Sequence, residues 1–529
     1  MRRHLVVPRY SFVDDVELQS SGSVSFGMRI LTFFFACLLG AAVQGATYHV
    51  AVNGNNGNNG SSLAMAWATP QHAANMAIAG DSVLVHAGGY QGFAAMDHSG
   101  TAIDPIVFLA SDGVVNITSP CTFNNLDGIN VENVNWVVIE GFTVNNMPRT
   151  GIRSALTDHV TIRYNSCANN YKWGILTGFA EHVIIEYNSC SASQDEHGIY
   201  FGNSADDPII RFNHVFDNNA NGIHMNGDES LGGDGVISNA QVYGNIIHGN
   251  GEAGGSGINC DGVVNSLFYN NLLYDNHASG ISLYRIDGGA PSTGNRVFNN
   301  TIINANDARW CVNITDGCSG NQVINNILIN QHPFRGSIVI AEDALAGFVS
   351  DYNLVVNSLS PDGDATLLDL TSWQTLGYDE HSQVAAPLSA LFAQPNSGDF
   401  HALNANSQQV NAGSNTVSQV VSDDLDGTVR PLGGSIDIGC YEADFSTAIL
   451  DRDAATIQLW ASPAGVHVAG APKGSYVSMY DLSGRVILDQ RLETGTNVIA
   501  PAIRGAILCA VRNEEGLLLI TRVLVLPRP

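Results

Sequence analysis

Short β-rich phrases that return about every 23 residues predict an all-β chain, a right-handed parallel β-helix followed by a small C-terminal β-sandwich. Three observations carry that class. First, Gly-Ile phrases open at Gly151, Gly174, Gly198, Gly222, Gly257 and Gly280, with a degenerate copy at Cys311, at spacings of 23, 24, 24, 35, 23 and 31. Two long gaps among short ones are what insertions in one loop of a constant unit produce. Second, one asparagine per unit, at Asn165, Asn188, Asn213, Asn245, Asn271, Asn300, Asn326 and Asn353, holds a fixed place, as a stacked amide ladder requires. Third, the units consist of alternating β-branched and aromatic residues cut by Gly and Asn, with no amphipathic stretch long enough for a helix. About three short strands per unit make one coil, and coils stack about 4.8 Å apart.

The elements follow in chain order. Residues 1–45 read as an N-terminal extension and signal peptide: Met28-Arg29 is a short basic start, Ile30 to Val43 an apolar run too short to span comfortably, and Gly45-Ala46 suit cleavage. Residues 46–445 form the β-helix with its N-terminal cap and closing segment. Cys37 falls in the leader, and the eight remaining cysteines are too sparse for a disulfide scaffold. Cys167 and Cys190 lie one period apart; they read as a disulfide or as a buried ladder of small apolar side chains, and the second reading fits better. Residues 398–442, with Asp424-Leu425-Asp426-Gly427, Arg430-Pro431 and Asp437-Ile438-Gly439, are expected to cap the open last coil. From 446 to 529 the pattern changes to alternating strands, a β-sandwich.

Bulk chemistry narrows the partners. The 529 residues carry a formal charge of -27, only 13% are charged, and Lys172 and Lys473 are the only lysines. This balance speaks against nucleic acid and anionic membranes, and it opposes an acidic polymer unless a local cationic pocket or bound Ca²⁺ reverses the field. No nucleotide-binding glycine loop, zinc-spaced cluster or nucleophile elbow appears, so no organic cofactor is expected.

After each repeat glycine the Ile points inward, so the next residue and the one two further on point outward. The first outward row reads Arg153, Leu176, Tyr200, His224, Asn259, Ser282, Asn313, and the second Ala155, Gly178, Gly202, Asn226, Asp261, Tyr284, Thr315. Lys172, Trp173, Glu196, His197 and Arg309 precede the strands; Asp228, Glu229, Arg285 and Asp287 follow them. Polar and ionisable groups thus crowd one face between 197 and 287, beside Gly178 and Gly202, where the missing side chains leave room.

These repeats, with the segment Thr47–Gly92, resemble the pectate-lyase-like right-handed parallel β-helix superfamily. "YDLSGRVI" (Tyr480–Ile487), Gly495, Gly505 and the final apolar strand resemble a type IX C-terminal sorting domain, the alternative being a plain accessory module. The resemblance implies a protein outside the cell or at its surface, delivered by outer-membrane secretion machinery and acting on polysaccharide; a monomer is expected. It implies a lyase, or a C5-epimerase, that removes the C5 proton of a uronate. Arg285, Asn226 and Asn259 would neutralise the carboxylate, His224 or Lys172 act as base, and Tyr200 or His197 as acid. Asp261 joins the substrate-binding set, and Trp173 and Trp310 either stack on sugar rings or serve as turn aromatics. A Ca²⁺ bridging substrate and Asp228, Glu229 or Asp261 would be compatible with this chemistry, since hard oxygen ligands suit that ion. Asp228 and Asp261 would instead be the paired carboxylates of a hydrolase, and a non-catalytic glycan-binding or adhesin-like surface protein is the third reading.

Overall fold

In the computed structural model the described residues are 45–445 and, further on, 458–462, 465–469, 471, 474–480, 486–492, 497–499, 505–512 and 518–526. Residues 1–44 of the expected leader lie outside them. Inward Ile, Val and Phe form one continuous core from Val50 to Trp373. Each coil is turned by single residues in the left-handed region. Tyr164, Tyr187, Phe212 and Gly244 hold one corner, all at φ between 54° and 63°. The asparagine that follows each of them builds the expected ladder: Asn188 donates its amide to the Asn213 side-chain oxygen at 3.0 Å, Asn213 to Asn245 at 3.0 Å and Asn245 to Asn271 at 3.0 Å. The same side chains satisfy buried backbone groups that no strand reaches, which is what makes the corner tolerable inside the protein. A second ladder, Asn218, Asn250 and Asn276, repeats this at the next corner. Cys167 and Cys190 are register partners with free, buried thiols, so the apolar ladder is the correct reading.

The parallel strands that follow the repeat glycines make an eleven-stranded sheet, running from Phe93–Ala95 to Leu359–Ser360. Strands Ile199–Gly202, Ile223–Asn226, Ser256–Asp261, Ser279–Tyr284 and Val312–Ile314 are its middle. Register pairs Tyr200 with His224, His224 with Asn259, Asn259 with Ser282 and Ser282 with Asn313, so the outward rows are those read from the repeat.

Two features differ from expectation. Short helices do form at the ends: Pro70–Met76, capped by the Thr69 hydroxyl, covers the first coils, and Leu370–Gln374 buries Trp373 at the last. The segment 398–442 therefore does not cap the final coil. It packs along the side of the helix, where Phe400, Ile438 and Cys440 meet Leu272, Ile303 and Ile327. Corner asparagines anchor it: Asn299 donates to the Asp437 carbonyl at 2.8 Å and Asn325 to that of Ser414 at 3.0 Å. Its buried Arg430 donates to the carbonyls of Asp437 and Gly439. The acidic turn residues Asp424 and Asp437 accept backbone amides there. This arrangement covers the other faces and leaves the middle of the eleven-stranded sheet facing outward. The C-terminal strands form two small antiparallel sheets around Val466, Val477, Met479 and Val511, the expected sandwich.

Candidate functional site

The middle of that sheet gathers Tyr200, His197, His224, Asn226, Asn259 and Tyr284 into one polar cluster. Its order follows from a chain of hydrogen bonds that starts on the backbone. The Ser256 amide donates to Asn221 Oδ1 at 2.6 Å, which turns the Asn221 Nδ2 toward His197 Nδ1 at 3.2 Å. The Asn221 backbone amide also donates to Nδ1, at 3.3 Å. With its Nδ1 accepting, neutral His197 carries its proton on Nε2 and donates it to His224 Nδ1 at 3.0 Å. His224 therefore presents Nε2–H, 3.4 Å from the Tyr284 hydroxyl. Asn259 Nδ2 donates to the same oxygen at 2.8 Å. The Tyr284 oxygen thus receives two donors, and its own proton points elsewhere.

Burial, followed by the Lys172 charge, pulls His197 down to about 3. Burial and then His197 hold His224 well below its ordinary value. Both imidazoles are neutral across the physiological range. Burial raises both tyrosines, so each is a phenol at rest. These facts change three assigned roles. His224 is a donor here and not a free base. His197 is 8% exposed and passes polarity to His224, with little of its ring open to the surface. The Lys172 ammonium is ion-paired with Glu196, whose hydrogen bond raises its pKa, so it stays charged and is no base. Glu196 also accepts the Trp173 indole N–H at 2.9 Å, and the Trp173 ring stacks on Tyr200 at 5.4 Å. Tyr200 accepts from Asn226 Nδ2 at 3.1 Å, while Asn226 Oδ1 is buried without a partner among the described residues.

A groove of about 490 Å³ opens at Tyr284 and runs away from Tyr200; Asn259, Ser282, Arg309, Trp310 and Arg335 line it. Among the described residues no carboxylate lies within ion-pairing distance of Arg309 or Arg335, although Asp316 and Asp364 share the groove. Arg285, expected to neutralise substrate charge, is exposed outside the groove and bonds its own loop at Gly288. Trp310 is 4% exposed, which makes it a turn aromatic at the groove edge and leaves its ring no open face for a sugar.

The expected metal set does not assemble. Asp261 is 1% exposed, and both its oxygens accept backbone amides of Ile286, Asp287 and Gly288, which clamps that loop. Asp228 caps a turn through Ser230. Among the described residues the one three-ligand cluster is Asp158, His159 and His182, elsewhere on the surface. The donor set thus does not fit Ca²⁺ at Asp228, Glu229 and Asp261, and Asp261 is equally unavailable as half of a hydrolytic carboxylate pair.

Sequence reasoning passed over Tyr284 and Arg309, although Tyr284 stood in the second outward row and Arg309 just ahead of its strand. It missed Arg335, whose strand lacks the Gly-Ile phrase, and Asn221, whose role appears only across coils.

The family described as right-handed β-helix region matches residues 105–233. A pectate lyase, Pel9A, superposes with a TM-score of 0.51 over 75% of this chain and 96% of its own, at 16% identity. The fold is a right-handed β-helix, like that of this pectate lyase. Other β-helices align over less of this one: a rhamnogalacturonan lyase at 14% identity (TM-score 0.40; 54% of this chain and 82% of its own), and the A-module of a mannuronan C-5 epimerase from Azotobacter vinelandii at 17% (0.31; 47% and 86%). No curated protein matches this β-helix in sequence. Among its described residues no helix is long and apolar enough to cross a membrane.

Proposed function

We propose that this β-helix acts on a uronate-containing polysaccharide outside the cell by moving the proton at C5, as a lyase or a C5-epimerase. One observation carries the reading: a tyrosine oxygen held by two fixed donors stands at the mouth of a groove whose arginines, among the described residues, have no carboxylate within ion-pairing distance.

The C5 proton is acidic enough to remove only when the neighbouring carboxylate is neutralised, and Arg309 supplies that charge. Tyr284 as phenolate takes the proton; the His224 Nε2–H and Asn259 amide already aim at its oxygen, so the negative charge needs no reorganisation. In a lyase the C5–H bond breaks, C4=C5 forms, the C4–O4 bond breaks, and the Tyr284 phenol returns the proton to O4. In an epimerase a water on the other side of the sugar protonates the opposite face of C5, the hydroxide it leaves takes the proton held by the Tyr284 phenol, and no glycosidic bond breaks. Because burial raises Tyr284, its phenolate fraction and the rate rise with pH, and neutral histidines add no inflection near their ordinary value.

The test combines two readouts on a panel of uronans: ultraviolet absorbance of the unsaturated sugar and exchange of solvent deuterium into C5. Tyr284→Phe should lower either signal by about 10² to 10⁴ with KM little changed. Absence of both signals on every uronan would refute the proposal.

A further inference from the structure

We infer that a corner of the β-helix built by Asp158, His159 and His182 binds a divalent transition-metal ion of the zinc class. The inference goes beyond the proposed function and does not rest on it. His182 follows the strand Trp173–Glu181, four coils before that of Tyr284 and about 19 Å from it along the axis, so the ion stands apart from the groove.

Stacking of the coils brings the ligands together. Trp136, His159, His182 and Asp207 hold one corner on four successive coils, each in the left-handed region at φ between 49° and 56°. Their backbone amides record the row: Trp136 donates to the Asp158 carbonyl, His159 to that of Glu181 and His182 to that of Asp206, each at 3.0 Å. The rings therefore lie one over another. Trp136 stacks on His159 at 3.8 Å and His159 on His182 at 4.4 Å, with planes 19° and 15° apart. Both imidazoles turn the same nitrogen to one atom: His159 Nδ1 lies 2.6 Å and His182 Nδ1 2.9 Å from Asp158 Oδ1.

Only the second of these contacts has the direction of a hydrogen bond. His159 Nδ1 is buried and has no hydrogen-bond partner among the described residues. A polar atom shut off from water in this way is costly, and a cation bonded to both imidazoles and to Oδ1 removes the cost. Zn²⁺ holds nitrogen and carboxylate oxygen at about 2.0–2.2 Å, which sets tetrahedral ligands about 3.4 Å apart. Side-chain shifts of less than about 1 Å open the corner to that spacing, and its exposed rim leaves the fourth position to water. The Asp207 carboxylate, one coil on, faces His182 Nε2 at 3.7 Å, which favours the proton there and frees Nδ1 to bind metal. Any proton on the Nδ1 atoms leaves to solvent as the ion enters. Ca²⁺ is excluded by its need for about six to eight oxygens, since the corner offers two carboxylates and two nitrogens.

The experiment is calorimetric titration of the full chain, first stripped with chelator, using Zn²⁺ and then Ca²⁺. One Zn²⁺ per chain is expected to bind at this corner and to resist displacement by excess Ca²⁺. His159→Ala and His182→Ala should each weaken it about a hundredfold, and Asp207→Asn about tenfold. His214→Ala removes a ring that pairs with His248 in the other sheet, and should leave this site unchanged. Nitrogen-15 spectra of the parent chain need no variant: Zn²⁺ should move the Nδ1 signals of His159 and His182 while both Nε2 atoms stay protonated. Zn²⁺ affinity unchanged in both histidine variants, displacement by Ca²⁺, or imidazole signals that Zn²⁺ does not move would overturn the inference.

Discussion

Acidification probes the buried histidines directly. His197 has a folded pKa of about 3 against 6.5 when free, lowered first by burial and then by Lys172. Between those values the unfolded chain binds a proton that the folded chain does not. Stability therefore rises with pH across this window and is lost as pH falls from 6.5 toward 3. Each pH unit removes about 1.4 kcal/mol, so at pH 4.5 His197 alone accounts for about 3 kcal/mol. The assay is urea unfolding of wild type and His197→Gln at pH 7 and pH 4.5, followed by tryptophan fluorescence. Carboxylates elsewhere titrate equally in both proteins, so the difference between the two pH shifts isolates the imidazole. The variant should lose less stability on acidification, by about 3 kcal/mol. Nitrogen-15 spectra of histidine-labelled protein should show His197 and His224 neutral, both protonated at Nε2, well below pH 6. An identical pH response in the two proteins, or a His197 that charges near pH 6, would refute the buried-relay argument.

Two further outcomes follow from the same contacts. Asn221→Asp keeps the acceptor for the Ser256 amide but places a carboxylate on His197 Nδ1; the pKa of His197 should rise by about 1–3 and both tautomers reverse, which nitrogen-15 shifts report directly. Tyr284 then loses the His224 donor, and the alkaline limb of activity should move to higher pH. Asn271→Ala removes the acceptor of the buried Asn245 amide, together with bonds to the Asn245 side chain, the Val242 carbonyl and Asn300. The expected cost is about 3 kcal/mol or more, seen as a lower unfolding midpoint and faster exchange at the Asn245 amide.

The sequence by itself determined the coil. Inward Ile, the corner residues and the asparagine ladder recur because each coil must solve one local problem, burying one strip of apolar surface while satisfying one set of corner amides. That solution has a fixed period, so the outward rows could be counted, and Tyr200, His224, Asn259 and Ser282 do stand one above another. What those outward groups do was decided only by contacts between coils. The direction of the His197–His224 pair depends on the Ser256 amide, which lies 35 residues beyond Asn221, and the state of Tyr284 depends on His224, 60 residues away. Asp261 looked like a ligand, yet its carboxylate is consumed by a loop whose path no repeat encodes. Arg335 entered the groove from a coil whose phrase had decayed, and the closing segment lay down along the side because corner asparagines offered it partners there. Periodicity records what every coil shares; a site is made where particular coils differ, and those differences acquire meaning only when the coils are stacked.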